Sequence, residues 1–216
     1  MSGIVGSSHN IRGSGIIAKL GTDGQVFTSA GAGIKQTYEA AGGGAWNVIA
    51  TQTASASASV EFDGNLDDTY RVYKIICDHW VGDTDGPYLN FTFKRDGESS
   101  YNTGASDYKW VSDRLRTGSN LGTRVEDTSD AVMRGRNNLG NQTGAHTGFE
   151  TIIWPRTGEY PTIHTIEIGF DSGPDLIWAM SVGTLLTEAD CQSIKIAPST
   201  GEITTGNFVL YGLSIS

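Results

Sequence analysis

The chain has 216 residues, 38% hydrophobic and 18% charged, with a formal net charge of −9. That length suits one compact domain plus an appendage, and a body of about 170 residues buries roughly 70% of its unfolded surface. The acidic balance repels phosphate and argues against a nucleic-acid partner. No apolar run approaches the roughly 20 residues of a spanning helix, and no basic stretch leading into an apolar one marks a secretory signal.

The first element is an arm, residues 1–45. It holds eleven of the 29 glycines, while its large apolar residues are sparse, chiefly Ile4, Val5, Ile16, Ile17, Val26 and Phe27. Ordering such a segment costs backbone entropy that so little burial does not offset. The expectation is an extended Gly-rich arm, ordered by docking those six side chains onto a neighbour.

From Trp46 to the end the period is two. Ala54, Ala56, Ala58, Val60 and Phe62 alternate with serines and Glu61, predicting one strand with a buried and a wet face. Residues 70–80 form a longer strand, and Leu89, Phe91 and Phe93 make the next inward face. Tyr108 and Trp110 share a face before the pattern fails. It resumes over 149–154, then with Ile166, Ile168 and Phe170 inward, then with Leu176, Trp178, Met180 and Val182 as the next core face. Ile194 and Ile196 follow, and 207–215 closes with apolar residues on both faces. The one candidate helical turn is 187–191, with Thr187 as its cap. Turn residues separate these runs, so the predicted fold is all-β: a jelly-roll-like antiparallel β-sandwich over 46–216, preceded by the arm.

The exception is 113–148, a predicted long irregular insertion rich in Gly, Asn and Thr. It carries Arg114, Arg116, Arg124, Arg134 and Arg136, which with Lys109 are six of the 15 basic residues. An irregular run of this length is either a solvated insertion balanced by Glu126, Asp127 and Asp130, or a contact loop for an acidic neighbour. Cys77 shares parity with Tyr73 and Ile75, whereas Cys191 lies opposite Ile194 and Ile196. Opposite faces do not bridge, so two free thiols are expected, as suits a reducing cytosol.

Residues for chemistry do not converge in the sequence. The histidines at 9, 79, 146 and 164 lack metal-ligand spacing, and His164 reads as a strand-end residue. No nucleophile elbow or local Cys/His pair is present. The run Asp63-Gly64-Asn65-Leu66-Asp67-Asp68 imitates the start of a calcium loop, but lacks glycine at the sixth position and has Lys74 at the twelfth. It reads as a turn. No catalytic, cofactor or metal residues are assigned. Among the tryptophans, Trp178 is in phase with Leu176 and Met180 and reads as core. Trp80 and Trp154 fall opposite Cys77 and Ile153, which makes them candidate surface platforms for a sugar.

Two segments carry a family resemblance. Leu20-Gly21-Thr22-Asp23-Gly24-Gln25-Val26-Phe27-Thr28-Ser29-Ala30-Gly31-Ala32-Gly33 resembles a short motif of tailed-bacteriophage fibre and other virion proteins, with Phe27 in place of the usual leucine. The body is similar to the β-sandwich of phage fibre-type and capsid-decorating proteins at Phe62-Asp63-Gly64, Tyr73-Lys74-Ile75 and Phe208-Val209-Leu210-Tyr211-Gly212. The resemblance implies a non-enzymatic virion component, assembled in the host cytoplasm, commonly a homotrimer, held by other virion proteins through its N-terminal segment. A tail fibre or lectin-like module binding a receptor or host surface glycan is the alternative, followed by a polysaccharide-degrading tailspike-type enzyme. In the glycan-binding alternative, Trp80, Trp154 and the arginines of 113–148 are the candidate contacts.

Overall fold

The computed structural model describes residues 25–28, 37–40, 45–118, 122–135, 140–141, 144–155, 158–171, 173 and 175–214. The chain divides into two compact units, Met1–Gly44 and Ala45–Ser216. Among the described residues every regular element is a strand. In the first unit β1 (Gln25–Thr28) pairs antiparallel with β2 (Thr37–Ala40), placing Val26 opposite Glu39 and Phe27 opposite Tyr38. The arm is therefore not extended throughout. Ile4, Val5, Ile16 and Ile17 lie outside the described residues.

The second unit contains β3 (Trp46–Ser57), β4 (Val60–Phe62), β5 (Tyr73–Gly82), β6 (Leu89–Arg95), β7 (Tyr108–Arg116), β8 (Thr123–Asp130), β9 (Met133–Arg134), β10 (Thr147–Trp154), β11 (Thr162–Phe170), β12 (Leu176–Leu185), β13 (Cys191–Pro198) and β14 (Ile203–Leu213). They form an eight-stranded sheet, β3-β14-β5-β10-β11-β12-β7-β8, and a four-stranded sheet, β4-β13-β6-β9. Eight of these strands nest: β3 pairs with β14, β4 with β13, β5 with β10 and β6 with β9. An antiparallel ribbon folded back on itself in this way, from outermost pair to innermost, is a jelly roll. The hairpins β7–β8 and β11–β12 are additions to it, and both extend the larger sheet past β10.

Alternating apolar residues of the two sheets meet in a single core. Phe62, Tyr73, Ile75, Phe91, Phe93, Ile194 and Phe208 have no accessible surface, each contributing about 1.5–3 kcal/mol of apolar transfer. Phe149 touches both Phe91 and Phe208, at ring centroid distances of 6.1 and 5.9 Å. The Tyr108 hydroxyl accepts the Phe93 N–H at 2.8 Å and donates to the Asn102 carbonyl at 3.1 Å, joining the large sheet to the small one.

The structure departs from simple alternation at several points, each with a local cause. The Ala/Ser run over 54–62 is two strands in different sheets, broken at Ala58–Ser59 just after Ala56 takes a φ of 49°. There the Ser57 hydroxyl accepts the Ser55 N–H. In β5 an extra residue at Asp78–His79 interrupts the register with both β10 and β14. A bulge of this kind reverses the parity beyond it, so Trp80 points inward and is 1% exposed. The expectation of Trp80 as a surface contact is corrected. A bulge between Cys191 and Ser193 does the same in β13, so Cys191 enters the core instead of facing away. Both cysteines are buried and free.

Residues 113–148 are not irregular throughout, because β8 and β9 lie within them. Sequence periodicity misses β8 because it is an edge strand exposed along most of its length, with no buried face to mark. Residues 187–190 contain bends and irregular chain rather than a helical turn.

The largest departure is in β11 and β12. Thr165, Glu167, Ala179 and Ser181 face inward, while Ile166, Ile168, Leu176, Trp178 and Val182 face outward. Trp178 is therefore not core. Neighbours approach the glycines of β11 and β12 at close range, the Met133 side chain at Gly183 and the start of β10 at Gly169. A Cβ on Gly183 would stand 2.7 Å from Met133 Cγ, and one on Gly169 would stand 2.7 Å from the His146 carbonyl oxygen. Small and hydroxyl-bearing side chains fit under those neighbours, and Thr151 and Thr165 share a hydrogen bond of 2.9 Å there. Of the larger apolar side chains, Ile163, Ile177 and Leu185 point inward, and Ile166, Ile168, Leu176, Trp178 and Val182 are left for the other face.

Candidate interaction surface

The outer face of the large sheet can be read across its strands from the register. One row runs Ile152, His164, Val182, Val111, from β10 to β7. The next runs Glu150, Ile166, Met180, Asp113, and the third Gly148, Ile168, Trp178, Leu115. Phe170 opposite Leu176 completes the patch. Ile168 is 55% exposed, Leu115 54%, Leu176 46% and Trp178 39%. Toward the other edge the same face continues through Ile76, Val209 and Tyr211, all half-buried, to the exposed Val48. Isolated surface apolar residues are ordinary, but contiguous rows of them mark an interaction site.

Central charges on this face are paired. Lys74 pairs with Glu150 at 3.6 Å and Arg124 with Asp113 at 3.3 Å. Lys109 and Glu126 line a groove of about 320 Å³ at the β7–β8 end, together with Val111 and Val182. Asp127 lines the same groove, and Asp78 is exposed at the β5 bulge. The strands β3, β12 and β14 contain no charged residue.

Trp154 is half-buried on this outer face, as expected from its position opposite the buried Ile153. Trp154 and Trp178 do not converge. In register Trp154 stands level with Thr162 and Thr184, six residues along β12 from Trp178, or about 20 Å. They do not form one sugar platform. Trp80 is in the core.

Arg116, Arg124 and Arg134 are engaged by acids of the same chain. Arg116 bonds Asp171 at 3.1 Å and Asp175 at 2.7 Å. Arg134 pairs with Asp130 at 3.2 Å and lies over the Trp110 ring, whose indole N–H donates to the same carboxylate. Arg114 is half-buried, and Arg136 lies outside the described residues. These pairs favour the balanced insertion over a loop of free cations waiting for an acidic neighbour.

The calcium-like loop behaves as a turn. Lys94 pairs with Asp63 and the Ser193 hydroxyl donates to it at 2.6 Å, which together hold the Asp63 carboxyl below its usual range. Asp67 accepts the Thr69 N–H and the Tyr73 hydroxyl, both at 3.0 Å. A pocket of about 200 Å³ beside it gathers Asp67, Asp68, Asp96 and Asp190. No cluster of three metal-ligating side chains arranged to hold an ion occurs among the described residues.

No protein-family model, curated protein or solved structure matches this chain. The outer face, read from its own residues, is the feature with functional content. Reading strand parity alone assigned Ile166, Ile168, Trp178 and Val182 to the interior. The other parity holds Ile163, Ile177 and Leu185 as well as Gly169, Ala179, Ser181 and Gly183, so apolar residues on both faces were the one available sign that the outer face is apolar.

Proposed function

We propose that the chain is a non-enzymatic structural component of a tailed-bacteriophage particle, a capsid decoration or short fibre protein, located in the virion after assembly in the host cytoplasm. The N-terminal unit docks onto another virion protein, and the jelly roll is displayed outward in several copies, as a homotrimer in the reading that the phage resemblance implies. The observation that carries this is the character of the N-terminal unit. Its described structure is one four-residue by four-residue hairpin amid a Gly-rich sequence, and an isolated two-stranded hairpin is marginal in water. Such a unit gains stability from a partner, by strand addition or by seating apolar anchors such as Val26 and Phe27 in a groove. Jelly rolls occur in capsid and lectin domains alike, so the fold alone supports only the general class.

The test is deletion of residues 1–45. The truncated chain is expected to keep the β-type circular dichroism and cooperative melt of the body, and to be missing from purified particles. Truncated protein found in particles at full occupancy would sink the docking role. The second reading, a receptor- or glycan-binding fibre, is favoured by Trp178 and Trp154 at the outer face. It requires glycan-array binding that is lost in Trp178→Ala or Trp154→Ala.

A further inference from the structure

We propose that the outer face of the large sheet is where copies of this chain pack against one another, and that its occupant is a second copy of the same face or of its apolar rows. This deepens the self-association in the functional reading by naming the surface, and it rests on geometry rather than on the phage resemblance.

Three observations fix the occupant. The first is extent. The strands β14-β5-β10-β11-β12-β7 present six neighbours of up to eleven residues. At about 4.8 Å per strand and about 3.3 Å per residue this is a plane of roughly 850 Å², which matches the roughly 800 Å² per partner of a standard interface.

The second is charge. A chain of net charge −9 repels its copies over most of its surface. On this face four of the outward charges pair within it, Lys74 with Glu150 and Arg124 with Asp113. A partner of opposite charge would be met by an acidic surface, of which this chain has plenty elsewhere. A largely apolar face whose central charges are paired internally suits a like-charged copy.

The third is the inversion in β11 and β12. The interior of the extension combines Ile163, Ile177 and Leu185 with the smaller Thr165, Ala179 and Ser181, while Ile168, Trp178 and Leu176 stand on the outside. Such residues are stabilised there when an apolar layer covers them, and sheets stack face to face at about 10 Å for this purpose.

The test is the solution mass of the full chain by sedimentation velocity with light scattering. Wild type is expected as an oligomer. The double variant Ile168→Lys, Trp178→Lys, which places two charges in one row of the face, is expected at single-chain mass. Tyr160→Lys, an equally exposed apolar residue outside the sheet rows, is expected to keep the wild-type mass. Circular dichroism melts of all three confirm that folding is intact, and Ile168→Thr with Trp178→Gln replaces the lysine pair if it does not fold. Two results overturn the proposal. A wild-type chain that is monomeric at its highest soluble concentration leaves the face to another virion protein or a glycan. A folded face variant that keeps the wild-type mass puts the contact elsewhere, for instance in the arm. Neither result touches the particle-docking role, which is read from incorporation of the 1–45 deletion.

Discussion

At the scale of single residues, two tryptophans with similar sequence surroundings have opposite fates. The bulge before Trp80 puts it in the core, while Trp154 keeps the simple alternation and sits half-buried outside. Trp80→Ala is therefore expected to cost about 3–5 kcal/mol in urea unfolding, and Trp154→Ala about 1 kcal/mol or less in the isolated chain. Equal costs would contradict the assignment. The two thiols give a second residue-level expectation. Burial pushes Cys77 and Cys191 up to about 12, so neither carries an appreciable thiolate at pH 8. A thiol reagent should label both slowly in the native protein and at once in denaturant. Because the folded value lies above the unfolded one of about 8.5, the contribution of these thiols to stability is complete below that pH. It is lost as pH rises toward 12, and urea midpoints measured between pH 7 and 10.5 should fall. Fast native labelling of either cysteine would show that its site opens.

At the scale of elements, the close approach of Met133, His146 and Thr147 to β11 and β12 is the feature on which the outer face depends. Gly169→Ala sets a Cβ within 2.9 Å of the Thr147 Cα as well as near the His146 carbonyl, both backbone atoms. Overpacking of this sort typically costs about 1–3 kcal/mol, which a thermal melt should register. An unchanged melting temperature would mean that the segment is not tightly seated there. This same element explains what was legible in the sequence. Strands such as β6, with Leu89, Phe91 and Phe93 all buried, follow the rule that the apolar parity faces the core. The rule fails in β11 and β12 because a long-range neighbour, not the strand itself, decides which parity has room. It fails in β5 and β13 because a single extra residue, invisible to periodicity, resets the count. The fold class survives these errors, since a strand remains a strand whichever way it faces. The interaction surface does not, since its whole content is the direction in which Ile168, Leu176 and Trp178 point. The partners of Arg116 were not legible for a related reason: Asp171 and Asp175, distant in sequence, come to it only through the sheet.

At the scale of the whole molecule, the body divides into a jelly roll closed by nested pairs and a four-stranded extension that carries most of the exposed apolar surface. The division gives closure and core to the nested strands, and leaves contact and particle docking as the roles proposed above for the extension and the N-terminal unit. The nesting also has a consequence in time. The outermost pair brings Asn47 to Ser214 across 167 residues of chain, and the next joins β4 to β13. Contacts of such separation are won only after a long loop has been closed, and chains dominated by them fold in milliseconds to seconds rather than microseconds. On the ribosome, β3 waits for nearly the entire body to emerge before its partner exists. During that wait the long, uncharged edge of β3 and the apolar rows of β12 are open to strangers. A protein arranged in this way is one whose synthesis rate, temperature and chaperone supply decide its yield as much as its final stability does.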